Sequence, residues 1–248
     1  MSLGVYGESD IGFARRRNED SIAWHQSSNG HNVVAVLADG MGGHRGGDIA
    51  SKTAVDICIA QLSLLVDRDD LAVTELIDAL NKAVSEANDH IRVAREQDES
   101  LSRMGTTLLI LWVLGDQAFI ANVGDSRCYR LSVSSAQQIT KDDTVAQAMV
   151  DDGSITESEV PRIPFRNVLT KAVGTEPKVL ADIQQIVMSA GDALVLCSDG
   201  LTGAVDAQQW PSIIADSKSV KQQVECLIDE SINNKANDNV SVIMVRRQ

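Results

Sequence analysis

Val33-Val34-Ala35-Val36-Leu37-Ala38-Asp39-Gly40-Met41-Gly42-Gly43-His44 opens with six apolar residues, three of them β-branched, before its first charge. A run with no polar face reads as a strand covered on both sides, and Asp39-Gly40 then reads as the turn that ends it. The carboxylate of Asp39 is therefore expected at the lip of a core, where burial costs several kcal/mol unless a cation or hydrogen bonds compensate. One Asp-Gly after a strand is ordinarily turn chemistry. Here the pattern recurs: Ala193-Leu194-Val195-Leu196-Cys197-Ser198 is a second buried-strand run and ends at Asp199-Gly200, while Asp238 stands just before a third segment that reads as strand, 239–245. If that last strand runs antiparallel to the others, Asp39, Asp199 and Asp238 converge at one edge, and their mutual repulsion calls for cations.

Outward from these three acids, residues 3–9 and 21–25 read as short strands, with Arg15-Arg16-Arg17-Asn18-Glu19-Asp20 between them. Apolar spacing predicts amphipathic helices over 46–66, starting near Asp48, and over 71–95. Segments 106–113, 117–123 and 127–131 read as an antiparallel meander joined at Gly115-Asp116 and Gly124-Asp125. Residues 142–152 read as helix, and 153–167, with Gly153, Pro161 and Pro164, as an irregular surface segment. Strands near 180–188 and 193–198, helices near 207–215 and 219–233, and a final strand complete nine or ten strands and four or five helices. Antiparallel runs broken by helical pairs do not make a parallel βαβ sheet. They favour one α+β domain over residues 1–248, a sandwich with helices outside.

The 248 residues are 44% hydrophobic and 23% charged, with a formal net charge of −13. Such an acidic chain lacks the basic footprint of nucleic-acid or anionic-membrane binders. The longest apolar run, 108–114, is too short to span a bilayer as a helix, and the N-terminus has no signal-peptide pattern. Cys58, Cys128, Cys197 and Cys226 are widely spaced without a CxxC pair, so neither zinc nor a disulfide framework is expected. These features suggest a soluble cytoplasmic protein with reduced thiols. Acids with no convergent His or Cys make an all-oxygen site for hard cations, Mg²⁺ or Mn²⁺. Two such ions suit phosphoester hydrolysis, and Arg15 has the forked guanidinium that grips phosphate oxygens.

Seven pieces occur in an order that resembles the metal-dependent serine/threonine protein phosphatases (PPM, or type 2C), in their compact bacterial branch. They are Arg15-x-x-Asn18-Glu19-Asp20, Asp39-Gly40-Met41-Gly42-Gly43, Met104-Gly105-Thr106-Thr107, Asn122-Val123-Gly124-Asp125-Ser126-Arg127, Asn167 to Gly174, Ser198-Asp199-Gly200-Leu201 and Asp238-Asn239. The resemblance implies a four-layer α-β-β-α sandwich with a binuclear Mn²⁺ or Mg²⁺ centre in a cleft at one end. It implies that Asp39 bridges both ions, that the Gly40 carbonyl binds one and Asp199 with Asp238 the other, that Glu19 and Asp20 hold waters on the ions, and that Arg15 takes the phosphate. Residues 141–167 match a variable flap beside the cleft. The expected partners are phosphorylated proteins and the pathway of a bacterial serine/threonine kinase, with the chain acting as a monomer. The alternative is an inactive phosphatase-like module that binds phosphoproteins.

Three departures from the family pattern stand out. Met41 replaces a frequent histidine, which leaves the general acid unassigned, with His44 the only histidine near the motif. Gly203 stands where a further aspartate often helps Asp125 hold a third ion. Lys141-Asp142-Asp143 and Lys171 replace other residues around the flap.

Overall fold

The computed structural model of the chain describes residues 2–42 and 46–248. His44 lies outside the described residues. Eleven strands among them form two antiparallel sheets. The first holds β1 (Leu3–Asp10), β11 (Val240–Arg247), β10 (Ala193–Cys197), β7 (Arg127–Leu131) and β8 (Ala136–Gln138), in that order. The second holds β2 (Asp20–Gln26), β3 (Asn32–Met41), β5 (Leu108–Leu114), β6 (Gln117–Val123) and β9 (Asp182–Val187), with the short β4 (Gly105–Thr106) on β3.

Alternation along β3 explains the apolar run. Val33, Ala35 and Leu37 point between the sheets, where they join Leu109, Leu111, Leu194, Leu196, Ile243 and Val245. Val34, Val36 and Ala38 point the other way, onto α1 (Gly47–Leu62) and α2 (Val73–Gln97), which bury Ala50, Ala54, Cys58, Leu76, Leu80 and Ile91 there. The far face of the first sheet is covered by α6 (Val220–Asn233) and by α4 (Asp199–Ala204) and α5 (Trp210–Ile213), around Trp210, Leu227 and Met244. The α-β-β-α layering and the α+β class are as expected. Truncating a residue such as Leu37, fully buried between the sheets, should cost about 2–5 kcal/mol.

Two expectations are corrected. Strands β5 and β6 pair as a hairpin, but β7 leaves them and pairs with β10 in the opposite sheet, so the meander breaks at Gly124. Gly124 takes φ +104°, and a Cβ there would lie 2.7 Å from the Thr107 side chain, so the crossover needs glycine. Asp39-Gly40 does not end in a turn either: β3 continues to Met41, with Gly40 opposite Thr106. Gly40 is needed for close approach, since a Cβ would sit 2.0 Å from the Gly47 carbonyl oxygen where α1 begins. The helices run as expected to within a few residues, except that 207–215 holds a 3₁₀ turn (Ala207–Gln209) before the short α5, and α3 (Val145–Asp151) is shorter than 142–152. The segment after α3 carries a 3₁₀ turn at Glu157–Arg162. None of the four cysteines is in a disulfide.

Candidate active site

The acids of the sequence motifs meet where the two sheets end. Asp20 opens β2 and stands directly opposite Asp39 on β3, a like-charge cross-strand pair that destabilises a sheet unless something neutralises it. Asp199 is not in a turn; it is the first residue of α4, and a Cβ on the following Gly200 would lie 2.0 Å from the Asn239 carbonyl oxygen. Asp238 lies two residues before β11, which runs antiparallel to β10, so both first-sheet acids come to the same end. Asp39 belongs to the other sheet, and the convergence is made by stacking the sheets rather than by strand pairing. A cleft of about 530 Å³ is lined by Asp39, Asp125, Asp199, Asp238, Arg15 and Glu19, among others.

Glu19, Asp39, Asp125, Asp199 and Asp238 line this cleft, while Asp20 lies behind it, paired with Asp39. Burial raises Asp20 to about 6, against the hydroxyl hydrogen bonds from Ser241 and Ser198 that favour its charged form. Asp199 also reaches about 6, through burial and then the charge of Asp238. Asp125 reaches about 7, through burial, then Asp199 and Asp142. Asp39 is held well above its ordinary range by burial and then by Asp20, Asp199, Asp125 and Asp238 together. Burial also raises Glu19, opposed by Arg15. Shifts of this kind, with specific charged neighbours in a cleft, mark functional sites.

Several contacts that hold the acids were not foreseen as such. Ser198 Oγ and Ser241 Oγ donate to Asp20 Oδ2 at 2.8 and 2.7 Å, tying the first sheet to the second. Thr107 Oγ1 accepts from the Asp39 amide at 2.9 Å and Thr106 Oγ1 donates to the Asp39 carbonyl at 2.9 Å, which is what the Gly-Thr-Thr piece does. Asn239 accepts from the Glu19 amide and donates to the Ile11 and Arg17 carbonyls, so one buried side chain shapes the loop that carries Arg15. Its place in the Asp238-Asn239 motif piece was the sequence signal for it, though not for this role.

Arg15 Nη2 lies 2.5 Å from Asp238 Oδ2 with both side chains about a third to a half exposed. Such a pair is worth at most about 1 kcal/mol. As they stand, no three His, Cys, Asp or Glu side chains among the described residues are gathered closely enough to grip one ion. The donor chemistry nevertheless fits a hard cation: the ligands are all oxygen, and buried Asp20 Oδ1 and Asp199 Oδ1 have no hydrogen-bond partner. A Cβ at Gly203 meets nothing within 4 Å, so the position beside Asp125 is open.

The flap departures have a clear structural role. Arg127 grips Asp142 through two nitrogens, Nε to Oδ1 at 2.9 Å and Nη2 to Oδ2 at 2.6 Å. Lys171 meets Asp143 at 3.0 Å, Asp143 also accepts from the Gly124 amide, and Lys141 meets Asp151 at 2.6 Å. Arg127–Asp142 and the Gly124–Asp143 hydrogen bond tie the base of the flap to the segment that bears Asp125, while Lys141–Asp151 braces the flap internally.

The protein phosphatase 2C family profile matches residues 14–237, which includes every acid described above except Asp238, the residue just beyond the match. The chain belongs to that family. It is 33% identical over 240 residues to the serine/threonine phosphatase stp of Listeria welshimeri, covering 96% of this chain and 94% of the relative. It is 30% identical to protein phosphatase PhpP of Streptococcus pneumoniae, over 96% of this chain and 94% of that protein. Among solved structures, the S. agalactiae serine/threonine phosphatase superposes with a TM-score of 0.89 at 28% identity, over 99% of this chain and all of that one. The catalytic domain of the serine/threonine protein phosphatase PstP, solved in complex with two manganese ions, superposes with a TM-score of 0.82 at 33% identity, over 98% of this chain and 97% of that one. This chain is thus a protein serine/threonine phosphatase of the PPM type, and phosphorylated proteins are its substrates. Among the described residues no helix is long and apolar enough to cross a membrane.

Proposed function

We propose that residues 1–248 act as one catalytic domain that uses two Mn²⁺ or Mg²⁺ ions to hydrolyse phosphoserine and phosphothreonine in proteins, opposing a serine/threonine kinase in the cytoplasm. The observation that carries this reading is the set of strand-end and helix-start carboxylates, Asp39, Asp199 and Asp238 with Asp125, facing one cleft beside Arg15. Asp39, the Gly40 carbonyl, Asp199 and Asp238 are the residues that would hold the ions, and Asp125, lacking a second aspartate at Gly203, would hold a third only weakly. When bound, a pair of such ions lowers the pKa of water to near neutrality and offsets charge on phosphate oxygens. The protein's part is positional. Thr106 and Thr107 fix the backbone of Asp39, Ser198 and Ser241 fix Asp20, and Asn239 fixes the loop of Glu19 and Arg15. Asp238 shares its charge with Arg15 in a weak pair, so giving that carboxylate to a metal would cost little and would leave the Arg15 guanidinium free for a phosphate dianion.

Phosphate release from a phosphothreonine peptide, measured with EDTA, Mg²⁺ or Mn²⁺, tests the reading. Turnover is expected only with metal and should fall by orders of magnitude in Asp39→Asn with the fold intact. Peptide binding without turnover under saturating Mn²⁺ would instead make the chain a phosphoprotein-binding module.

A further inference from the structure

A second cleft of about 590 Å³ adjoins the acid site. It shares Asp125, Asn167, Asp199 and Asp238 with the first cleft, so the two form one groove passing the acids on both sides. The two arms differ in character. Beyond the shared acids, the first arm presents Met41, Val168 and Leu169, alongside Arg15 and Glu19 that belong to the chemistry. The second arm presents Arg127, Arg166 and Lys235 against a single further acid, Asp142, which Arg127 already holds. Arg166 on the flap and Lys235 past the end of α6 both line this arm and make no ion pair among the described residues, although the chain as a whole carries a net charge of −13. Lys235 also sits at a costly place. It occupies the left-handed position, φ 59°, just past the end of α6, where the Lys235 amide bonds the Ile232 carbonyl and the Ala236 amide the Ser231 carbonyl. Glycine is the usual residue there, because a Cβ strains that conformation.

Building on the phosphatase reading, we infer that this arm of the groove is an anion subsite: it selects phosphoproteins that carry a second negative side chain, carboxylate or phosphate, on one side of the phosphorylated residue. A peptide crossing the site would lay its phosphate among the shared acids and their cations, its acidic flank between Arg166 and Lys235, and its apolar flank over Val168 and Leu169. Arg166 and Lys235 are both exposed, so two such ion pairs are each worth up to about a five-fold preference, and salt should erode them.

The experiment compares kcat/KM for phosphothreonine peptides with neutral, Glu-bearing or second-phosphothreonine flanks, placed N-terminal or C-terminal, in Mn²⁺ at low and high salt. The wild type is expected to favour the acidic flank on one side only, by several-fold and at most about twenty-five-fold, less in high salt. Lys235→Gly and Arg166→Gln should each cut this ratio several-fold and together bring it near one, while p-nitrophenyl phosphate turnover stays within two-fold. Lys235→Gly should at the same time raise the melting temperature, since it relieves the backbone, so a lost preference cannot be ascribed to misfolding. An equal ratio in wild type and double variant, or no flank preference in wild type, overturns the subsite while leaving the phosphatase reading standing. Failure of the phosphatase reading shows separately, as no metal-dependent turnover of p-nitrophenyl phosphate. Discrimination between Glu and phosphothreonine flanks tells which anion the subsite takes.

Discussion

Asp199→Asn should make the metal-free protein more stable and the metal-loaded protein inactive. The Asp199 carboxyl titrates near 6 in the folded chain against an ordinary 3.8, because burial and then Asp238 disfavour its charge. That gap of about two units corresponds to roughly 3 kcal/mol of penalty once the group is ionised. The penalty is shared with strongly interacting neighbours, and an anion at the first turn of α4 recovers about 0.3–1 kcal/mol from the helix dipole, so a net gain of about 1–2 kcal/mol is expected. For a chain of this length that is about 2–8 °C in melting temperature. The sign follows from the protons held: between pH 3.8 and 6 the folded carboxyl keeps a proton that the unfolded one has lost, so wild-type stability falls as pH rises through that window. The advantage of the variant is therefore full above about pH 6 and shrinks toward pH 4. Thermal unfolding in EDTA from pH 4 to pH 8 reads this directly, and a parallel series with Mn²⁺ reads the ligand. Metal at about a hundred times its dissociation constant adds about 2.7 kcal/mol to a competent site, and the variant should show little of that gain. A variant less stable than wild type in EDTA at pH 7.5, or one with the full Mn²⁺ gain, would refute the account of these carboxylates.

Arg15→Lys should raise KM for phosphopeptides more than it lowers kcat, because charge is kept while the fork that matches spectator phosphate oxygens is lost; steady-state kinetics with an unchanged KM would remove Arg15 from the site. Asn239→Ala breaks three hydrogen bonds around the Arg15 loop and should cost about 2–4 kcal/mol by urea unfolding, with a loss of activity that saturating metal does not restore. His44→Ala should lower kcat on a phosphopeptide by less than about ten-fold, short of a general acid's usual contribution; a large drop confined to the phosphopeptide and absent with p-nitrophenyl phosphate would make His44 the acid.

Local pattern determined a good deal here. Six apolar residues in a row before Asp39 require a strand covered on both faces, and the helical spacing of Leu76, Leu80, Ala83, Ala87 and Ile91 requires one buried stripe, because each is a property of neighbours along the chain. The ordered motif pieces likewise pointed to the acids that share the cleft. What they could not specify was register across sequence distance. Asp39-Gly40 reads as a turn from its two residues, yet β3 runs on because β4, sixty-odd residues later in the chain, pairs with it. The run at 127–131 reads as the third strand of a meander, yet it crosses to the opposite sheet, where β10 offers its hydrogen bonds. Asp20 facing Asp39, the hydroxyls of Ser198 and Ser241 on Asp20, and Arg15 on Asp238 all join residues from different elements. Local periodicity is set by bonds three or four residues apart, whereas the cleft is set by how two sheets stack, and only the tertiary structure decides that.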